Sequence, residues 1–226
     1  MAVIRERRFT SHFQPVVHAD RPDHLYGYGA LLRGVNADGS FIAPTALFDT
    51  ARGAGILFQL DLAAHRSAIA SAHLLHLQHA LFVNFAPTAI YDPKTCLRST
   101  AAAIDVAGIA RGQVVFDIVG TERTHHSRHL RSILDYYRGV GFRIALDDVG
   151  AGYSFLNLIP LLCPDIIKLD MELVRNVDRD PHKTRIGANL LDIANALDID
   201  VWRNTSKPRA SWHGCSSTAP DTCRGS

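Results

Sequence analysis

Seven short apolar runs punctuate the chain: HFQPVVH (12–18), YGYGALLRG (26–34), ALFVNFAP (80–87), QVVFDIVG (113–120), FRIALDD (142–148), DIIKLD (165–170) and a stub, DIDV (198–201). From residue 80 onward these runs are apolar throughout rather than alternating, the pattern of strands covered on both faces. Between them lie stretches of helical period. TALFDTARGAGILFQLDLAAHRSAIASAHLLHL places apolar residues three and four apart, and SRHLRSILDYYRGVG does so until glycine stops it. DPHKTRIGANLLDIANALDI opens on Asp180 as cap and Pro181 as first-turn residue. The first two runs are too close for a crossover helix, so they pair antiparallel. Repeated strand–helix units then point to an α/β fold, a TIM-type (β/α)8-like barrel with an antiparallel first strand.

In such a barrel the strands' C-terminal ends form the mouth where chemistry is done. Those ends carry Arg33, Asn84, Asp117, the adjacent pair Asp147 and Asp148, and Lys168. Two bare carboxylates about 4 Å apart repel by roughly 4 kcal/mol at an effective dielectric near 20. Hard divalent cations turn that repulsion into binding, and a pair of them can activate water against a phosphodiester. A lysine nearby could orient the nucleophile or neutralise phosphate. An Asp-Asp pair before a glycine turn is, taken alone, ordinary cap or turn chemistry; only the joint placement on successive strands favours a site. The helically spaced histidines (His73, His76, His79, and His126, His129) read as solvated faces.

The bulk numbers narrow the classes. The 226 residues suit one large domain, and 47% hydrophobic with 20% charged content is that of a soluble globular protein. A formal charge of +2 argues against a nucleic-acid polymer or a membrane surface as partner. Four irregularly spaced cysteines form neither a disulfide framework nor a zinc set, which fits a reducing cytoplasm. The N-terminus lacks an apolar segment of signal-peptide length.

With these residues assembled, the chain resembles the EAL domain family of cyclic-di-GMP phosphodiesterases. FQPVV is similar to the family's opening strand, whose glutamine, here Gln14, helps hold the nucleotide. GALLRG resembles the naming Glu-Ala-Leu-Leu-Arg motif, with Arg33 in the phosphate-contacting place. VNFAP carries Asn84 and DIVG carries Asp117 as metal ligands, DDVGAGYSFL carries Asp147 and Asp148, and IIKLD supplies Lys168 as the catalytic lysine. The resemblance implies magnesium or manganese as cofactor and opening of cyclic-di-GMP to the linear dinucleotide.

Departures from that pattern set further expectations. The naming glutamate is Gly29, and Gly120 replaces a second acid; Glu122 is not credited as its substitute. After Val201 the family continues with a metal-site glutamate on strand seven and then strand eight. This chain gives WRNTSKPRASWHGCSSTAPDTCRGS, rich in Ser, Arg, Thr and Gly without period. Compatible codons read in a displaced frame from Trp202 restore family-like letters, which points to a frameshift near codon 201. Three segments are therefore expected: an extension (1–10), an EAL-like barrel (11–201) lacking strand eight and most of strand seven, and a disordered tail (202–226). Catalytic inactivity is expected, with retained cyclic-di-GMP binding, a protein-binding role, or residual hydrolysis on one metal as the readings left open.

Overall fold

The computed structural model describes residues 2–18, 23–86, 90, 92–119, 127–150 and 155–204. Its strands are β1 (Phe9–His18), β2 (Leu25–Val35), the short β3 (Phe41–Ile42), β4 (Ala80–Asn84), β5 (Val114–Val119), β6 (Arg143–Val149), β7 (Ile166–Leu169) and β8 (Asp200–Asn204). The helices are α1 (Ala2–Arg5), α2 (Pro44–Gly53), α3 (Leu57–Leu74), α4 (Pro93–Ala107), α5 (Ser127–Gly139), α6 (Phe155–Leu162), α7 (Met171–Val174) and α8 (Pro181–Ala196).

β1 and β2 form the antiparallel pair that their short connection demands, from Phe9 opposite Gly34 to Val17 opposite Leu25. From β2 the sheet continues in parallel through β4, β5, β6, β7 and β8. This is the incomplete TIM-type barrel, with seven long staves and β3 appended outside the ring. The missing eighth stave does not leave the sheet wholly open. β8 runs three residues past Val201 and meets β1 antiparallel, with Val16, Val17 and His18 opposite Asn204, Arg203 and Trp202. The single stretch of helical period over residues 45–77 resolves into α2 and α3, because Gly53 ends one turn and Gly55 takes a left-handed φ of 68° that favours glycine. Asp180 caps α8 as its sequence implied, accepting from the backbone N–H of His182 and Lys183.

Two apolar layers hold the barrel. Between sheet and helices, Leu81, Phe116, Ile144, Ile167 and Ile104 share one large core. Inside the ring, Val16, Phe82, Val115, Ala145, Ile166 and Trp202 form a plug. Gly27 is fixed by close approach: a Cβ there would stand 2.2 Å from the Ala80 carbonyl oxygen, so β2 could not lie against β4. Among the described residues no helix is long and apolar enough to cross a membrane, and Cys96 and Cys163 are free thiols.

Candidate active site at the barrel mouth

Strand geometry delivers the site. Phe82, Val115, Ala145 and Ile166 fill the ring's interior, so residues two further along each strand share that face. These are Asn84, Asp117, Asp147 and Lys168. Asn84 lies opposite Asp117 in the β4–β5 ladder, and Asp117 opposite Ala145 in the next. The plug beneath is apolar, so polar groups above it are desolvated from below.

Lys168 is the hub. Its Nζ donates to Asp117 Oδ2 and, at 2.7 Å, to Asp147 Oδ2, and it stands 5.4 Å from the centroid of the Phe82 ring. Lys168 and Asp117 are each 2% exposed. Burial and then the Asp147 charge push the Asp117 carboxyl up to about 7, against the opposing pull of Lys168. Burial works against the Lys168 ammonium, but the carboxylates of Asp117 and Asp147 outweigh it and hold the ammonium charged. One cation thus serves two acids.

The remaining sequence-predicted residues are arranged less tightly. Asp148 takes a left-handed φ of 56° and its N–H donates to Asp147 Oδ1 at 2.9 Å. Burial, then the charges of Asp147 and Asp170, raise the Asp148 carboxyl above its ordinary range. It stands beside the Lys168 cluster, not within it. Gln14 lies opposite Gly29 on the β1–β2 ladder. The Arg33 guanidinium donates to the backbone oxygen of its neighbour Leu32 at 2.8 Å. Gly120 and Glu122 lie outside the described residues.

Does this donor set suit a divalent ion? Asp117 Oδ1 is buried with no hydrogen-bond partner among the described residues, so one oxygen stands open. Asp147 and the Asn84 amide could add two more. Yet among the described residues no three His, Cys, Asp or Glu side chains converge as a metal site. Gly29 contributes no side-chain oxygen, and the Lys168 ammonium already occupies the two acids. Among the described residues the donor set falls short of a divalent site, so no chemical step is assigned to a metal here.

A buried pair that the apolar pattern concealed supports the rim from behind. His65 Nε2 lies 3.1 Å from the Asn84 carbonyl oxygen and 3.5 Å from Asp61 Oδ2, while Nδ1 is 3.4 Å from Thr100 Oγ1. Burial holds the His65 imidazole down to about 4 and the Asp61 carboxyl up to about 8, the latter opposed by a hydrogen bond from the Ala86 backbone. The signal for this pair was two polar residues four apart on an otherwise apolar helix face.

A curled parallel sheet with a reversed first stave, carrying acids and a lysine at its C-terminal mouth, defines an α/β-barrel enzyme lineage. The EAL domain family model matches residues 1–202, and the chain belongs to that family. It is 32% identical over 200 residues to the probable cyclic di-GMP phosphodiesterase PdeG of Escherichia coli (strain K12), an alignment covering 84% of this chain and 38% of the relative. The chain therefore spans well under half the length of that relative. A standalone EAL protein from Vibrio cholerae O395, solved in its c-di-GMP-bound form, superposes with a TM-score of 0.77 at 33% identity, covering 85% of this chain and 79% of that one. Klebsiella pneumoniae BlrP1, solved as manganese and cy-diGMP complex, gives a TM-score of 0.75 at 29% identity over 86% of this chain and 48% of that one.

Proposed function

We propose that this chain is a cytoplasmic EAL domain that binds cyclic-di-GMP and does not hydrolyse it at an appreciable rate. The nucleotide reading is supported by family membership and by the similar proteins described as c-di-GMP-bound or as cyclic di-GMP phosphodiesterases. Gln14 and Arg33 are the candidate nucleotide contacts. In a hydrolysing site Asn84, Asp117, Asp147 and Asp148 would be the metal-side residues and magnesium or manganese the ion. Lys168 would then act on the attacking water.

One observation carries the loss of hydrolysis: Lys168 is bound to both Asp117 and Asp147, and Gly29 leaves the adjoining rim position without a carboxylate. Two acids that share one internal ammonium attract a dication less than two free ones. Phosphate binding by Arg33 needs neither metal nor Gly29.

Titration calorimetry with cyclic-di-GMP, paired with chromatography of the products in manganese, tests both halves. Saturable heat without linear dinucleotide is expected. No heat at high micromolar nucleotide overturns binding. Linear product that vanishes in Asp147→Asn overturns inactivity.

A further inference from the structure

We propose that a groove on the outer wall, between residues 4–9 and helix α3, is a docking site for an acidic amphipathic helix of a partner protein. The proposal does not rest on the nucleotide reading, since the groove shares no lining residue with the mouth.

The groove encloses about 650 Å³. Ile4, Phe9, Ile56, Phe58 and Leu62 line it with apolar surface. Its α3 wall is one continuous stripe, from Gln59 through Leu62, Ala63 and Arg66 to Ala70, at the three- and four-residue steps of a single helix face. From Ile56 to Ser71 that stripe extends about 22 Å at the usual rise of a helix, the length of a four-turn partner. The β1–β2 hairpin has no crossover helix of its own, and α3 alone covers β1 on this side, with Ser67 Oγ 3.0 Å from Ser11 Oγ. α3 packs on α2 and α4, α8 packs on α7, and no extensive contact joins α8 to α3.

Charge selects the occupant. Arg5, Arg7 and Arg66 stand exposed on the rim, the lining contains no acid, and none of the three is in an ion pair among the described residues. The one acid of the N-terminal segment, Glu6, is taken by Arg8 at 2.8 Å. An apolar trough edged by three free guanidiniums fits a helix with leucine-like residues on one face and Glu or Asp beside them. A second copy of this chain does not supply one. α4 offers Lys94 and Arg98 against Asp105; α5 offers Arg128, Arg131 and Arg138 against Asp135; α8 offers Lys183 and Arg185 against Asp192. Residues 205–226 are basic as well, with Lys207, Arg209 and Arg224 against Asp221.

The test uses the full chain and a fluorescein-labelled peptide of about 18 residues with Leu at every third or fourth position and flanking Glu, beside a twin with Lys for Glu. Anisotropy titrations are expected to show saturable binding of the Glu peptide, about tenfold weaker binding of the Lys peptide, and weakening by salt. Arg5→Glu with Arg66→Glu, both exposed and so harmless to folding, is expected to invert the preference while leaving cyclic-di-GMP calorimetry unchanged. Equal binding of the twins, or an unchanged Glu-peptide affinity in the double variant, overturns the proposal. So does dodecyl phosphate binding where the Glu peptide fails, which marks a small-amphiphile site. A concentration-dependent dimer abolished by the double variant would reassign the groove to a second copy and also overturn it.

Discussion

Gly29 is the position where one residue decides what the mouth can hold. A Cβ built there meets only the Gln14 carbonyl oxygen, at 3.8 Å, which is ordinary contact. Replacing glycine inside a strand also removes some backbone entropy cost. Gly29→Glu is therefore expected to fold and to add the missing carboxylate beside Asn84 and Asp117. Its melting temperature should rise with manganese concentration while that of the parent stays flat, as selective binding to the native state requires. Equal manganese responses in parent and variant would show that Lys168, and not the absent acid, is the obstacle. A second residue-scale prediction concerns Asp61. Its carboxyl titrates near 8 in the fold against 3.8 in the unfolded chain, so between those values the native state holds a proton that the unfolded state has lost. Stability from this group is full below pH 3.8 and is lost as pH climbs through about 8. The slope approaches about 1.4 kcal/mol per pH unit within that window. His65, depressed to about 4, acts in the opposite sense: its contribution is present above 6.5 and fades as pH falls through 4. Between pH 7 and 8 His65 has dropped out, and Asp117, raised to about 7, adds a fading slope of the same sign as Asp61. Asp61→Asn keeps the acceptor for the Ala86 N–H and is expected to lessen the fall of urea-unfolding stability across that interval; an unchanged slope would show the carboxylate to be ionised already.

At the scale of elements, β8 matters most. Trp202 is 7% exposed and its indole stacks on Tyr26 with ring centroids 4.0 Å apart. Tyr26 also lies under the Arg143 guanidinium, 5.5 Å from ring centroid to Cζ. The indole thus plugs the end of the ring opposite the mouth and ties β8 to β2 across the interior. Trp202→Ala is expected to cost about 3–5 kcal/mol in urea unfolding, as removal of a buried aromatic does. A loss under 1 kcal/mol would place the indole outside the plug. Of this strand only the stub DIDV was legible in the sequence, and its continuation past Val201 was not. WRNT has no helical or alternating period, and only the partners on β7 and β1 give Trp202 its buried place. The buried runs from residue 80 onward were legible for the opposite reason: strands sandwiched on both faces need no partner's identity to be recognised. The break between α2 and α3 lay in plain view in ARGAG, yet continuous apolar spacing on both sides masked it.

The molecule as a whole shows what a pattern of types can and cannot convey. Asn84, Asp117, Asp147 and Lys168 were readable as a cluster because parallel staves in register carry equivalent positions to one end. Which acid the lysine would take was not readable, since that depends on distances across the ring that no local spacing encodes. Asp148, equal to Asp147 in the sequence, is turned aside by its left-handed backbone. The Asp61–His65 pair stayed hidden because, apart from the Thr100 hydroxyl far along the chain, its partners are the Asn84 carbonyl and the Ala86 N–H, main-chain groups that leave no mark in side-chain chemistry.

The reversed first stave also sets the direction of traffic. Because Phe9 sits level with Gly34, the polypeptide enters the domain at the acid-bearing end and only then descends to the floor. On the way in, Val3, Ile4 and Phe9 pack with Leu47, Ala51 and Leu60 of α2 and α3, so the segment leading to Gln14 and its neighbour Gly29 is braced by two helices before the hairpin begins its descent.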